Sequence, residues 1–238
     1  MSSSPVFAVA HRGASADAPE NTVAAFDEAV RQGAVAIEFD LRLSADGEMV
    51  VIHDETVDRT TSGQGRVAAL DLLDLRRLDA GSWMHRRFAG IRIPTLDEAL
   101  LAIGPHARPV IELKVPPPAG LVDHLRKYDL EREALVLSFD RSWLTAVRRM
   151  SRDLPLGLLS EGWHHGLPEA ARQLDAEVLA VGIDAVGPGQ VKAAEGFGLE
   201  LWCFTANDIG MVAACAAMGV TGIITDHPDL IRTRQSAR

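Results

Sequence analysis

The chain has few cysteines and a deficit of positive charge, and each shortage excludes a class of protein. Only Cys203 and Cys215 occur in 238 residues, too few for a disulfide framework, and we expect both thiols to be reduced and packed in the core. The 24 lysines and arginines are outnumbered by 33 acidic residues, which gives a formal net charge of −9. Because binding along a phosphate backbone requires clustered positive charge, the composition argues against a nucleic-acid partner.

Long apolar runs are absent as well. No stretch reaches the roughly 18 consecutive apolar residues of a transmembrane helix. The segment from Met1 to Phe7 has no basic residues ahead of an apolar core, as a signal peptide would. The acidic charge balance also disfavours tight docking on anionic lipid. We therefore expect a cytoplasmic protein without stable membrane insertion, and the sequence leaves a homodimer open.

Short apolar segments alternate with amphipathic helical segments along the chain, which is typical of parallel β/α architecture. We predict eight strands, near residues 6–10, 35–40, 109–113, 134–138, 155–159, 178–182, 200–205 and 222–225. Helical patterns lie between most of them, over residues 22–32, 96–103, 121–128, 142–150, 168–174, 190–197 and 209–218. This order predicts an α/β fold, a (β/α)8 TIM barrel that spans residues 1–238 as one domain, with its active site at the C-terminal ends of the strands.

One interval departs from the alternation. Between Leu41 and Val51 only four turn-forming residues separate two apolar runs, too few for a parallel crossover, so we predict an antiparallel hairpin that turns at Asp46-Gly47. With the turn centred between Ala45 and Asp46, the hairpin pairs Val51 with Asp40 and His53 with Glu38.

The hairpin is followed by a segment of different composition. Residues 54–93 are rich in glycine, arginine and aspartate, with a glycine-containing loop around residues 60–65 and a short helical pattern over residues 70–78. We predict that this segment is a small inserted subdomain that caps the mouth of the barrel.

Three acidic residues lie at the ends of two neighbouring predicted strands. Glu38 and Asp40 are two residues apart and point to one face, and Glu112 repeats this spacing with Lys114 on the next barrel strand. Converging carboxylates repel one another unless a cation lies between them, and an all-oxygen set favours Mg²⁺ or Ca²⁺ over zinc. The alternative is a buried ion-pair network, although three carboxylates against one lysine leave excess negative charge in a low dielectric.

Two histidines and an arginine accompany these acids. His11 and Arg12 end the first predicted strand, and the hairpin brings His53 to the same level. Arg12 could fork onto phosphate oxygens, Lys114 would add a positive charge, and the two imidazoles could share the removal and delivery of protons. The combination suits the handling of a phosphate ester. The alternative for Arg12 is a strand-end ion pair with one of the acids.

Motifs along the chain resemble the glycerophosphodiester phosphodiesterase family from near the N-terminus to residue 228. In order they are Val9-Ala10-His11-Arg12-Gly13, Pro19-Glu20-Asn21-Thr22, Ile37-Glu38-Phe39-Asp40, Val50-Val51-Ile52-His53-Asp54, Asp58-Arg59-Thr60-Thr61, Leu78-Asp79-Ala80-Gly81-Ser82-Trp83, Ile93-Pro94-Thr95-Leu96, Ile111-Glu112-Leu113-Lys114 and Asp226-His227-Pro228. No single motif is decisive, but their occurrence together and in register identifies the resemblance.

The resemblance implies metal-dependent hydrolysis of a small glycerophosphodiester to an alcohol and sn-glycerol 3-phosphate, a reaction of glycerol and lipid metabolism. It implies that Glu38, Asp40 and Glu112 hold one divalent cation and that His11 and His53 are the general acid and base. The implied attacking group is the glycerol hydroxyl beside the phosphodiester, which would give a cyclic phosphate, with direct attack by water as the alternative. A phospholipase D-like or phosphoinositide-type phosphodiesterase of the same superfamily, and a barrel that binds phosphate ligands without turnover, are alternative functions.

The sequence departs from the family pattern at one strand. The family usually has Trp-Thr-Val-Asn where this chain has Phe204-Thr205-Ala206-Asn207, with Trp202 two residues earlier. Because residues two apart in a strand share a face, we expect Phe204 and Trp202 to form an aromatic wall for the substrate, with core packing as an equal alternative for Trp202. Phenylalanine lacks the indole N–H, so one polar substrate contact of the family is in doubt.

Overall fold

The computed structural model describes residues 6–231. Within that range the strands are β1 Phe7–Ala10, β2 Ala36–Leu43, β3 Met49–Val51, β4 Arg108–Leu113, β5 Leu135–Ser138, β6 Leu156–Ser160, β7 Val178–Gly182, β8 Glu200–Phe204 and β9 Gly222–Thr225. The α-helices are α1 Val23–Gln32, α2 Leu72–Leu75, α3 Leu96–Ile103, α4 Leu121–Lys127, α5 Arg141–Met150, α6 Leu167–Gln173, α7 Pro188–Gly196 and α8 Ile209–Met218. Residues 1–5, on which part of the signal-peptide expectation rests, lie outside the described residues.

Eight of the strands form a closed parallel barrel. The hydrogen-bonded order is β1-β9-β8-β7-β6-β5-β4-β2, and pairing of β1 with β2 closes the ring. Strand β3 is added to β2 as an antiparallel edge. The predicted (β/α)8 barrel is confirmed, and each of its eight predicted strands is present.

Local sequence signals begin and end the helices as expected. Thr22 accepts a hydrogen bond from the backbone of Ala25 at the start of α1, and Thr95 forms a reciprocal capping box with Glu98 at the start of α3. Helices α1 and α8 each end on a glycine with a positive φ, the conformation that stops a helix with least strain. None of the helices in residues 6–231 combines the length and apolar character needed to cross a bilayer.

Side chains at alternate strand positions fill the lower barrel. This inner layer is apolar and consists of Val9, Ala36, Val110, Leu135, Leu137, Leu159, Val178, Ala180, Trp202 and Ile224. A second and larger core lies between the outer faces of the strands and the helices. Two residues further along β1, β2 and β4, the inward positions become polar, and these carry His11, Glu38 and Glu112. The polar end of the barrel is therefore the C-terminal end of the strands, as predicted.

Trp202 belongs to the apolar layer and not to the mouth, which is the core-packing alternative that the sequence left open. Its side chain has no exposed surface, and its ring lies edge-on to Phe7 at the N-terminal end of the barrel. Its indole nitrogen donates to Glu200 at 2.9 Å, and a Cβ at Gly222 would lie 2.7 Å from the ring. Trp202 does share a face with Phe204, but two residues of strand separate them by about 6 to 7 Å along the barrel axis.

The hairpin exists, but its register differs from the prediction by one residue. Leu41 pairs with Val51 and Leu43 with Met49, so the loop holds three residues between Ser44 and Glu48. Gly47 takes a positive φ of 84°, which is characteristic of a three-residue hairpin loop. The predicted pairing of His53 with Glu38 is therefore wrong, because the extra loop residue shifts the whole returning strand.

Residues 54–93 form a compact insertion with a small core of its own. Val57, Val67, Leu75, Ala80 and Ile93 pack there, together with two residues of the β3 region. The helical part is shorter than the predicted 70–78, because the α-helix α2 covers only Leu72–Leu75. One 3₁₀ turn, Val67–Ala69, precedes it and another, Arg86–Phe88, follows it. Arg76 of the insertion makes a bidentate ion pair with Glu98 of α3, which fixes the insertion to the outside of the barrel.

Cys203 on β8 and Cys215 on α8 are both buried and both free, with their sulfur atoms 3.4 Å apart. They fill space between the strand and the helix that covers it, as the sequence predicted.

Candidate active site

The three predicted acids converge at the C-terminal end of the barrel. Glu38 and Asp40 lie on β2, and the register places Asp40 directly beside Glu112 on β4. One carboxylate oxygen from each residue lies within 4.8 Å of the other two. Glu38 and Asp40 are almost fully buried, with 2% and 0% of their surface exposed.

The buried carboxylates perturb one another. Burial first, and then the charges of Asp40 and Glu112, raise the pKa of Glu38 well above its ordinary value. Burial and the charge of Asp40 likewise raise the pKa of Glu112. Burial also disfavours the charged form of Asp40, but Arg12 and Lys114 overcome it and lower the Asp40 pKa. The cluster is therefore short of positive charge, mainly around Glu38.

Two cations border the acids without neutralising them. Arg12 Nε lies 3.3 Å from Asp40 Oδ2, and Lys114 Nζ lies 3.3 Å from Asp40 Oδ1 and also pairs with Glu112. The ion pairs considered in the sequence alternative thus exist in the structure. However, within residues 6–231 two cations face three carboxylates, so the cluster has one acidic group more than it has cations.

The donor set fits a divalent cation. Glu38 Oε1 and Asp40 Oδ1 are buried oxygen atoms that accept no hydrogen bond from the described residues. Unpartnered buried carboxylate oxygens are rare unless an unseen ion or water binds them. All of the converging ligand atoms are oxygens, the donors that Mg²⁺ and Ca²⁺ prefer.

The β1–α1 loop holds the acids in place. The Arg12 backbone, in the left-handed region at φ 57°, donates its N–H to Glu38 Oε2 at 2.9 Å. Asn21, also at φ 57°, donates from Nδ2 to Asp40 Oδ2 at 2.7 Å and accepts from the Asp40 backbone at 3.1 Å. In the structure Thr22 is the cap and Asn21 orients Asp40.

His11 is held by a carboxylate from the last strand of the barrel. Its Nδ1 lies 2.7 Å from Asp226 Oδ1. Asp226 also accepts hydrogen bonds from Ser15 and Asn207. Burial alone would raise the Asp226 pKa, but these hydrogen bonds, with His11 foremost, lower it to about 2. Asp226 is therefore ionised at neutral pH and fixes His11 Nδ1 as the hydrogen-bonded nitrogen.

His53 follows β3 in a bend and not in an extended strand. Its Nδ1 lies 2.7 Å from Asp54 Oδ1, and its backbone oxygen accepts from Arg42 at 2.8 Å. Burial lowers the His53 pKa, although the nearby charge of Asp40 and the hydrogen bond to Asp54 act in the opposite direction. The bend thus places His53 close enough to Asp40 for their charges to interact. The predicted pairing of His53 with Glu38 in an extended strand does not account for this position.

Phe204 ends β8 and faces the barrel mouth. Its ring contacts that of Phe139 edge-on, with centroids 6.0 Å apart. Phe139 follows β5 and is 44% exposed. Because two strands, β6 and β7, lie between β5 and β8 around the ring, the two phenyl rings meet over these strands. The mouth therefore has a charged half formed by β9, β1, β2 and β4, and an apolar half bordered by these two rings.

The family is established by comparison with known proteins. The model of the Glycerophosphoryl diester phosphodiesterase family matches residues 11–230 of the chain. The chain belongs to this family. The match includes every residue of the candidate site, and it confirms the predicted enzyme class, a phosphoric diester hydrolase.

Relatives and solved structures agree with this assignment. A glycerophosphodiester phosphodiesterase of Caldanaerobacter subterraneus is 38% identical over 94% of this chain and 95% of its own length, and one of Bacillus subtilis is 33% identical over 97% and 86%. An Oleispira antarctica phosphodiesterase, solved in complex with the product sn-glycerol-3-phosphate, has a TM-score of 0.88 and 31% identity, covering 94% of each chain. A glycerophosphodiester phosphodiesterase from Agrobacterium tumefaciens has a TM-score of 0.87 and 34% identity over 95% and 98%.

Asn21, Asp226 and Phe139 contact residues of the site in this family member but were not among those selected from sequence. Asn21 and Asp226 lay inside quoted motifs, but neither spacing nor strand parity connected them to Asp40 or His11. Phe139 follows an apolar strand and carried no signal of its own. Each becomes visible only when strands distant in sequence are brought to one end of the barrel.

Proposed function

We propose that this protein is a divalent-metal-dependent enzyme that hydrolyses glycerophosphodiesters to an alcohol and sn-glycerol 3-phosphate. The observation that carries the proposal is the cluster of Glu38, Asp40 and Glu112 beside Arg12, Lys114 and the two imidazoles. Two of its buried oxygens accept no hydrogen bond from residues 6–231. The product complex of the Oleispira phosphodiesterase, a relative with the same fold, supports this choice of substrate.

Glu38, Asp40 and Glu112 would hold the cation, Mg²⁺ or Ca²⁺. When bound, the cation would polarise a phosphoryl oxygen as a Lewis acid. Arg12 and Lys114 would bind the remaining phosphate oxygens and oppose the charge that grows on them. Arg12 is held for this task by its ion pair with Glu20, in which Nη1 donates to Oε1 at 2.8 Å.

The two histidines differ in a way that suits different roles. Burial lowers the His53 pKa and so favours the unprotonated form that a general base requires, and His53 would take the proton from the attacking hydroxyl of glycerol or water. His11 faces the ionised Asp226, with which no lysine or arginine among residues 6–231 forms an ion pair. The hydrogen bond between His11 Nδ1 and Asp226 leaves Nε2 for the substrate, so His11 would deliver a proton from that nitrogen to the leaving alkoxide.

The apolar half of the mouth would receive the part of the substrate away from the phosphate. Phe204 and Phe139 offer ring surfaces there, and neither can donate a hydrogen bond. We therefore propose Phe204 as a substrate contact through van der Waals packing alone. Trp202 is not part of this contact because it has no exposed surface.

The functional experiment is product release with and without a chelator. Purified protein is incubated with the glycerophosphodiesters of choline, ethanolamine, glycerol and inositol, in Mg²⁺ and separately in Ca²⁺. We expect sn-glycerol 3-phosphate to be released with at least one of the two metals, to stop with EDTA and to resume when that metal is restored. Release from a lysophospholipid or a phosphoinositide, without release from these diesters, would favour the phospholipase alternatives. No product under any condition would favour a binding barrel.

The insertion is proposed as a cap that limits substrate size. Arg87 donates to the Asp17 backbone oxygen at 2.9 Å, so the segment around Trp83 and Phe88 lies beside the β1–α1 loop at the C-terminal end of the barrel. Trp83 is 40% exposed. Loops at this end of a barrel select substrates, whereas strand ends carry the chemistry.

Replacing Trp83 by alanine is therefore expected to raise kcat/KM for a lysophospholipid relative to a glycerophosphoalcohol, without changing metal affinity. Leu73→Ala is the matched control, since Leu73 is a 66% exposed apolar residue of the same insertion. The measurement is the ratio of the two kcat/KM values for each variant. An unchanged ratio in a folded Trp83→Ala variant would rule out a role for this residue in substrate choice.

A further inference from the structure

Arg59 is the one arginine of the described insertion that joins two carboxylates of the barrel mouth. Its Nε and Nη2 donate to Asp54 at 2.7 and 3.0 Å, and its Nη1 and Nη2 donate to Glu20 at 2.7 and 2.9 Å. Four donor contacts thus use two edges of one guanidinium plane. A lysine cannot reproduce this arrangement, because its ammonium group is a single point charge.

Both carboxylates lead directly to residues of the proposed reaction. Asp54 is the hydrogen-bond partner of His53, and Glu20 is the partner of Arg12. The contacts therefore run without a break from His53 through Asp54, Arg59 and Glu20 to Arg12. Arg12, at one end of this chain, contacts the carboxylate cluster at Asp40, and His53, at the other end, lies close to the same carboxylate. Asp54 and Arg59 come from the insertion.

The charges explain why the link needs an arginine. Without it, Asp54 would face His53 with no arginine or lysine of residues 6–231 beside it, and Glu20 would keep Arg12 as its one cationic partner in that range. The hydrogen bonds from Arg59 lower the pKa of Asp54 and, against burial, that of Glu20, so both stay ionised and paired. Arg59 is 45% exposed, but Glu20 is only 12% exposed, so the pair is partly shielded from solvent.

We propose that Arg59 is a positioning residue that holds His53 and Arg12 in their reactive orientations through Asp54 and Glu20. The inference rests on the proposed function, because it assigns Arg59 its effect through two residues of that reaction. It also gives the insertion a part in catalysis distinct from limiting substrate size. The whole insertion is consequently unsuitable for a deletion test, since deletion would remove Arg59 together with the cap.

The test is a kinetic comparison of Arg59→Ala, Arg59→Lys and the control Arg66→Ala. Arg66 lies on the same insertion and pairs with Glu55 at 2.8 Å, where both side chains are more than 60% exposed. We expect Arg59→Ala to lower kcat about 10- to 100-fold, the range found when a group that orients a reactive side chain is removed. Divalent-metal affinity should stay within about twofold of wild type, Arg59→Lys should recover only part of the rate, and Arg66→Ala should behave as wild type.

A double-mutant cycle separates positioning from general stabilisation. If Arg59 acts mainly through His53, adding Arg59→Ala to a His53→Ala background should lower kcat far less than it does in the wild type. Equal losses in both backgrounds would overturn the action of Arg59 on His53, and a wild-type kcat in Arg59→Ala would overturn the whole proposal. A His53→Ala variant with wild-type activity would instead overturn the proposed role of His53, so the two failures are distinguishable.

Discussion

Glu112→Gln is expected to lower kcat/KM by at least ~10³-fold and to weaken binding of the divalent ion. The change keeps the size of the side chain but removes one of three charged oxygen ligands. A bound cation contributes several kcal/mol of transition-state stabilisation, and each 1.36 kcal/mol corresponds to tenfold in rate. The measurements are steady-state kinetics in saturating Mg²⁺ or Ca²⁺ and calorimetric titration of each metal. Glu38→Gln and Asp40→Asn should behave alike, because all three oxygens converge on one position.

The fold should survive this substitution. Burial and the charge of Asp40 already disfavour the charged form of Glu112, so removing its charge relieves repulsion in the metal-free protein. We therefore expect the metal-free Glu112→Gln variant to unfold at the same temperature as wild type or a higher one. The matched control is Glu133→Gln, an exposed acid just before β5 at the opposite end of the barrel. Near wild-type turnover in Glu112→Gln would contradict the assignment of Glu112 as a ligand of the divalent cation.

Replacing either histidine is expected to lower kcat by about 10²- to 10⁴-fold while metal binding is retained. Neither imidazole belongs to the oxygen cluster, and each is held by its own carboxylate, His11 by Asp226 and His53 by Asp54. His106→Ala is the control, because His106 is exposed just before β4 at the far end of the barrel. A His11→Ala or His53→Ala variant that loses metal affinity in parallel with rate would indicate a structural role and not proton transfer.

The pH dependence of kcat provides a second test of His53 as the general base. A general base must be unprotonated, so the rate falls when the pH drops through its pKa. Burial lowers the His53 pKa, and a bound divalent cation would lower it further. The acid limb of the kcat profile should therefore have its midpoint below the ordinary histidine value of about 6.5. His53→Ala should lose this limb, whereas an unchanged midpoint in that variant would assign the limb to another group.

The sequence by itself determined the barrel and most of the charged half of its mouth. Strand parity is a local property, so the spacing of Glu38 and Asp40, repeated by Glu112 and Lys114, was enough to place these side chains on the inner face. The alternation of strands and helices fixed the parallel order, and that order places the strand ends at one edge. The short connection after β2 required a hairpin for the same local reason.

Only the tertiary structure decided the features that depend on depth within the barrel, on the register of the hairpin and on the closure of the barrel. The alternation of side chains along β8 predicts that Trp202 and Phe204 share a face. It does not predict that Trp202 lies deeper in the barrel, in the apolar inner layer, where it is completely buried. The hairpin loop holds one residue more than predicted, and this shifts the register of β3 against β2 by one residue. The turn sequence alone does not specify the length of the loop. Asp226 reaches His11 across 215 positions, because β9 closes the barrel beside β1. Contacts between residues so far apart depend on how the whole chain closes, and no local pattern in the sequence records them.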